Sequence, residues 1–98
     1  MPLKEHIKVI VAKQLGKIYR DKVFPTGTIV RLRDNLEEED LAQGFKPGEI
    51  VFVEEIKSAT GVNWALVRRL HDDEWGHFQP NKLKHLRPLE LLALMADL

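Results

Sequence analysis

The chain has 98 residues, enough for one hydrophobic core and too few for two. It contains no cysteine, which excludes disulfides, thiolate metal sites and cysteine nucleophiles together. Its formal net charge is zero but segregated: residues 1–33 carry eight lysines and arginines against two carboxylates, and residues 34–57 carry eight carboxylates against two lysines. Internal neutralisation across the fold and two faces for two partners are both open readings of that pattern. No apolar run approaches the roughly 20 residues that cross a bilayer. The N-terminus lacks the unbroken apolar stretch of a secretory signal, so a cytoplasmic protein is expected.

The first element is a helix over residues 3–20, because Leu3, Ile7, Ile10, Val11, Leu15 and Ile18 recur at spacings of three and four. Lysines flank the stripe, making this helix basic and amphipathic. Docking to an acidic surface, a membrane or a nucleic acid stands beside simple packing on the core. Pro25 and Gly27 close the segment with a turn. Thr28 to Arg33 alternates and is β-branched, so it reads as a strand with Val30 and Leu32 inward and Arg31 and Arg33 outward. A long acidic loop, Asp34 to Phe45, leads to the turn Lys46-Pro47-Gly48-Glu49. Ile50 to Ile56 is the clearest strand. A turn at Thr60-Gly61, a strand from Trp64 to Leu70 and a polar turn at His71 to Glu74 follow. Trp75 to Phe78 is the next strand, and Pro80-Asn81 marks a tight turn or single helical turn. Pro88 opens a C-terminal helix that is apolar nearly all round. Such a helix packs between the core and the first helix or enters a partner chain.

This order, with Phe45-Lys46-Pro47-Gly48-Glu49 before an apolar strand, a Trp-led strand at Trp64, and Gly76-His77-Phe78-Gln79-Pro80-Asn81-Lys82-Leu83 at the end, resembles the Src-homology-3 family over residues 28–87. The resemblance implies a mainly β fold. The expected architecture is a five-stranded antiparallel barrel over residues 25–87, flanked by an amphipathic helix within 1–24 and a short apolar helix within 88–98. Phe45, Gly48, Glu49, Gly76, Phe78, Asn81 and Leu83 match family positions, and Trp64 stands where the family places the first tryptophan of its peptide groove. Ala65 replaces the second tryptophan, Gln79 the family proline and Lys82 the family tyrosine. A proline-rich helix docks between parallel aromatic rings, which this pattern does not supply.

The expected function is non-enzymatic: an adaptor, regulator or inhibitor that binds a protein partner. Trp64, the acidic run Glu37, Glu38, Glu39 and Asp40, and the rim residues Asn81 and Lys82 are the expected contacts. Leu91, Leu94, Met95 and Leu98 form a possible interface through which the terminal helices could oligomerise. A small barrel of the KOW or Tudor kind, reading nucleic acid through Arg31, Arg33, Arg68 and Arg69, is the alternative. A structural subunit of a larger complex is the third. No cofactor or metal is expected, since the four histidines His6, His71, His77 and His85 lack ligand spacing. His71-Asp72-Asp73-Glu74 reads as a solvated turn and not as an acid–base pair.

Overall fold

A computed structural model describes residues 6–97 of the chain. The start of the expected first helix, with Leu3 and Lys4, and the expected interface residue Leu98 lie outside them. In chain order the elements are helix α1 (Ile7–Leu15), strand β1 (Ile29–Leu32), the single-turn helix α2 (Glu38–Leu41), β2 (Ile50–Ala59), β3 (Val62–Arg69), β4 (Trp75–Phe78), a 3₁₀ turn (Pro80–Lys82), β5 (Leu83–His85) and helix α3 (Pro88–Ala96).

The five strands form one antiparallel sheet in the order β4-β3-β2-β1-β5. No ladder joins β4 to β5 among the described residues, so the sheet is not closed. The expected five antiparallel strands with flanking helices are present, and the structure stops short of a barrel. Local chemistry sets each connection. Thr60 and Gly61 both take positive φ, 52° and 78°, and close a two-residue hairpin that pairs Ala59 with Val62. The strands on either side therefore run further than the sequence alone suggested. Gly48, at φ 85°, supplies the left-handed position that follows a turn proline. An extra residue in β2 between Val53 and Glu55 makes a bulge that bends the long strand.

Two cores lie on opposite faces of the sheet. Val30 and Leu32 of β1, Val51 and Val53 of β2, Ala65 and Val67 of β3, and Phe45, Phe78 and Leu83 fill the inner one. Gly76 allows two of those rings to meet. A Cβ there would lie 2.7 Å from Phe45 Cε2 and 2.9 Å from Phe78 Cε2. The second core sits between the other face and the helices, with Ile7 and Val11 of α1, Ile29 of β1, Leu70, Leu86, and Leu91 of α3.

The first helix is shorter than its apolar spacing predicts. It stops at Leu15, Gly16 takes the C-cap, and Ile18 is left fully exposed. Glycine is the weakest non-proline helix former, and the chain beyond it turns to deliver Phe24, which is buried in the inner core. What ties α1 to the sheet is an amide. Gln14 Nε2 donates to the Ile29 carbonyl at 2.7 Å, and the Ile29 N–H donates to Gln14 Oε1 at 2.8 Å. The side chain thus serves as one residue of a neighbouring strand. At the other end, Pro88 opens α3 as expected, and the Arg87 N–H donates to the Glu90 carboxylate at 3.1 Å. No helix among the described residues is long and apolar enough to cross a membrane.

Candidate functional site

The expected contact residues fall into two places. Around the 3₁₀ turn, Lys82 is buried, and its Nζ donates to the Asn35 carbonyl at 2.8 Å and to Glu37 Oε1 at 3.1 Å, with Asp40 Oδ2 at 3.8 Å. Asn35 Nδ2 donates to the Asn81 carbonyl at 3.1 Å. Asp40 is also buried and accepts the Glu37 N–H at 2.9 Å, which starts α2. Glu37, Asp40, Asn81 and Lys82 are therefore brought together, but chiefly to fasten the acidic loop to the turn. Lys82 and Asp40 are spent inside the chain and do not form a rim. Glu37, Glu38 and Glu39 are all exposed, and among the described residues Glu38 and Glu39 have no cation beside them. Gln43 completes the fastening: its Nε2 donates to the His77 carbonyl at 2.9 Å, and its Oε1 accepts the His77 N–H at 2.7 Å.

Trp64 lies elsewhere. It is half-buried on the outer face of β3, opposite Lys57. Two residue pairs along that face, Trp75 lies under the Arg68 guanidinium, 5.3 Å from it, and Arg68 pairs with Glu54 at 2.7 Å. The four arginines that could have read nucleic acid from the strands are mostly engaged. Arg31 pairs with Glu90 at 3.0 Å, and Arg69 pairs with Glu49 at 3.0 Å and with Asp72 at 2.6 Å. Among the described residues, Arg33 is the one of the four with no carboxylate beside it; its Nε donates to the Leu83 carbonyl at 2.8 Å. The hydrogen bonds from Arg69 hold the Asp72 carboxyl down at about 2, and those to Asp72 raise the arginine further above its usual range. The Arg87 N–H, followed by Arg31, lowers Glu90. His71, with its Nδ1 3.9 Å from Asp72, stands on the turn tip.

Sequence reasoning missed the segment between α1 and β1. His85 is stacked between Tyr19 and Phe24, at centroid distances of 5.2 and 4.5 Å. Its Nε2 lies 2.7 Å from the Val23 carbonyl and 3.1 Å from that of Arg20, so Nε2–H is the donor. This pins Lys17 to Pro25 across one end of the sheet. The same segment builds a groove against the 3₁₀ turn. Clefts of about 450, 300 and 310 Å³ run together there through the shared residues Lys22, Phe24, Asn63, Pro80 and Asn81. Phe24, Pro80 and Leu83 floor the largest, and Lys22 and Arg33 stand on its rim. The exposed apolar side chains Val23, Ile56 and Val62 line the extension. The signal in the sequence was the apolar pair Val23-Phe24 ahead of Pro25, too far from the helix stripe to belong to it.

The expected interface on the last helix is divided. Leu91 is buried in the second core, and Leu94 and Met95 pack half-buried against it. Leu89 and Leu92 are the exposed leucines, at 79% and 49%. Among the described residues, no three histidines or carboxylates gather where they could hold a metal ion. No protein family model, no curated protein and no solved structure matches this chain.

Proposed function

We propose that this chain is a non-enzymatic interaction module, SH3-like in outline, that holds an extended segment of a partner protein in the groove between Val23-Phe24-Pro25 and Pro80-Asn81. Three features support the SH3-like reading: the strand order, the bent β2 shared by both halves of the sheet, and the 3₁₀ turn placed between β4 and β5. One observation carries the binding reading. The groove joins exposed apolar side chains to two cations, Lys22 and Arg33, that have no carboxylate partner among the described residues. Such a lining favours apolar anchors flanked by Asp or Glu. Of the contacts expected from the sequence, Asn81 lines this groove, Glu38 and Glu39 remain free to steer a basic region of the same partner, and Trp64 sits on a different face.

A peptide-display selection against the whole chain tests this. Selected peptides should carry acidic residues beside apolar ones, and in NMR titration they should shift the amides of Val23, Ile56, Val62 and Asn81. The double variant Val23→Asp, Arg33→Glu should lose the binding. Shifts confined to Trp64 and Trp75 would sink the reading. The structural-subunit alternative is favoured by one observation, the exposed Leu89 and Leu92 on α3. Sedimentation of the parent chain beside Leu89→Glu decides it: only a parent assembly that the variant breaks supports it.

A further inference from the structure

A second cleft, of about 480 Å³, opens between α1 and the turn Pro25–Thr28 and meets the groove only at Pro25. Ile10, Phe52 and the Tyr19 ring form its apolar walls, and Lys13 and Lys17 stand at its edge. Among the described residues no carboxylate lines it. Neither lysine's ammonium takes part in an ion pair or a hydrogen bond among the described residues, and the same holds for the Tyr19 and Thr26 hydroxyls. Gln14 stands at the back with both amide atoms already bonded to Ile29. The cleft therefore presents cationic and hydroxyl donors, an aromatic ring, and no anionic acceptor of its own.

The positive charge continues past its edge. Arg20, next in the chain to Tyr19, adds a third cation with no ion pair among the described residues, whereas Lys8 lies on the other flank of α1 and Lys22 on the rim of the groove. The contrast is with Arg31, Arg68 and Arg69 on the strands, each paired to a carboxylate within 3.0 Å. An isolated anion would need one or two of these groups. A track of them beside an aromatic and apolar wall fits a repeating phosphate with flat rings between the charges.

We propose that this cleft binds single-stranded nucleic acid, with Lys13 and Lys17 contacting successive phosphates, Arg20 extending the track, and the Tyr19–Phe52 wall receiving a base. This goes beyond the protein-binding groove and uses a different surface from the strand arginines. The whole domain's zero net charge does not oppose it, because association follows the local field.

Fluorescence anisotropy of a labelled 12-nucleotide oligo-dT and oligo-U, at 50 and 200 mM NaCl, tests it. Single-strand binding loses about 0.7 log units of affinity per contacted phosphate for each tenfold rise in salt. Contact with three phosphates then predicts a fall of roughly 20-fold across that range. The double variant Lys13→Glu, Lys17→Glu should bind at least about tenfold more weakly and show a salt slope shallower by about 1.4. Both side chains are exposed, so circular dichroism should show an unchanged fold. The matched control Lys46→Glu, Lys84→Glu makes the same change in charge away from the cleft and should keep the parent slope. Three results overturn the proposal: no binding at 50 mM NaCl, equal losses in the two double variants, or binding to phosphatidylserine vesicles without binding to either oligonucleotide.

Discussion

The two charged segments look symmetrical in the sequence and are built on different physics. Four of the eight carboxylates of residues 34–57 are paired within the chain: Glu37 and Asp40 with Lys82, Glu49 with Arg69 and Glu54 with Arg68. All their partners come from the C-terminal half. Ahead of β1, the described part of the basic segment is fastened without charge, by the Gln14 amide on Ile29, by Phe24 in the inner core and by His85 between two rings. Internal neutralisation thus takes half of the acidic segment and, among the described residues of the basic one, Arg31 alone. The difference teaches that a charge run says nothing about availability until its counter-ions are located. It also predicts opposite salt responses, with the acidic loop loosening at high salt while α1 stays docked.

The contrast breaks first if the amide is not the anchor. Gln14→Ala strips two buried backbone groups of their partners, at about 1–3 kcal/mol for each group left unsatisfied. The expected loss is about 2–6 kcal/mol in urea denaturation, and a loss below about 1 would show that apolar packing alone holds α1. Next in size is Lys82→Met, which keeps the stem and removes the ammonium from the acidic loop. A charge-assisted bond contributes about 1.5–3 kcal/mol, so a fall of that order is expected, with faster hydrogen exchange at Glu38 to Leu41. Exchange that stays at the parent rate would mean the clamp is not closed. Smaller still is Lys17→Met. A free surface cation should move stability by no more than about 0.5 kcal/mol, and a larger loss would give Lys17 an internal partner and end the comparison.

The inner core was legible because alternation marks which side of a strand is buried: Val30 and Leu32 face inward as their spacing predicts. Turns were legible for a similar reason, since Pro47-Gly48 and Thr60-Gly61 carry backbone preferences of their own. The outer face was not. Ile29 and Phe52 pack against the helices, which alternation from a single strand cannot reveal, because it assumes that the second face meets water. The candidate site was legible only in part. Asn81 was found through the family pattern, whereas the groove depends on Phe24, which reaches the core across a stretch with no periodicity. Lys82 shows the limit in the other direction: a lysine at a surface motif was read as exposed, and three loop oxygens around its ammonium make it buried.

The smallest effect sharpens the comparison at Arg69, where one guanidinium serves both an acidic-segment carboxylate, Glu49, and a turn carboxylate, Asp72. Arg69 Nε and Nη2 reach the two Asp72 oxygens at 2.9 and 2.6 Å, and the Glu74 N–H adds a third bond at 3.2 Å. These bonds favour the ionised form, which is why the folded chain holds this carboxyl at about 2 against 3.8 for the free group. The sign follows from proton binding. Between those two values the unfolded chain takes up a proton that the folded chain refuses, so acid favours unfolding. The contribution of Asp72 is whole above about pH 4 and is lost as the pH falls through about 2. Because the pair faces solvent, the size is modest. Carboxyl-carbon NMR between pH 1.5 and 5 should place the Asp72 midpoint near 2, with the Arg69 Nε–H signal moving in step. A midpoint near 3.8 would mean that the turn does not hold the arginine in solution, leaving Glu49 as its sole carboxylate.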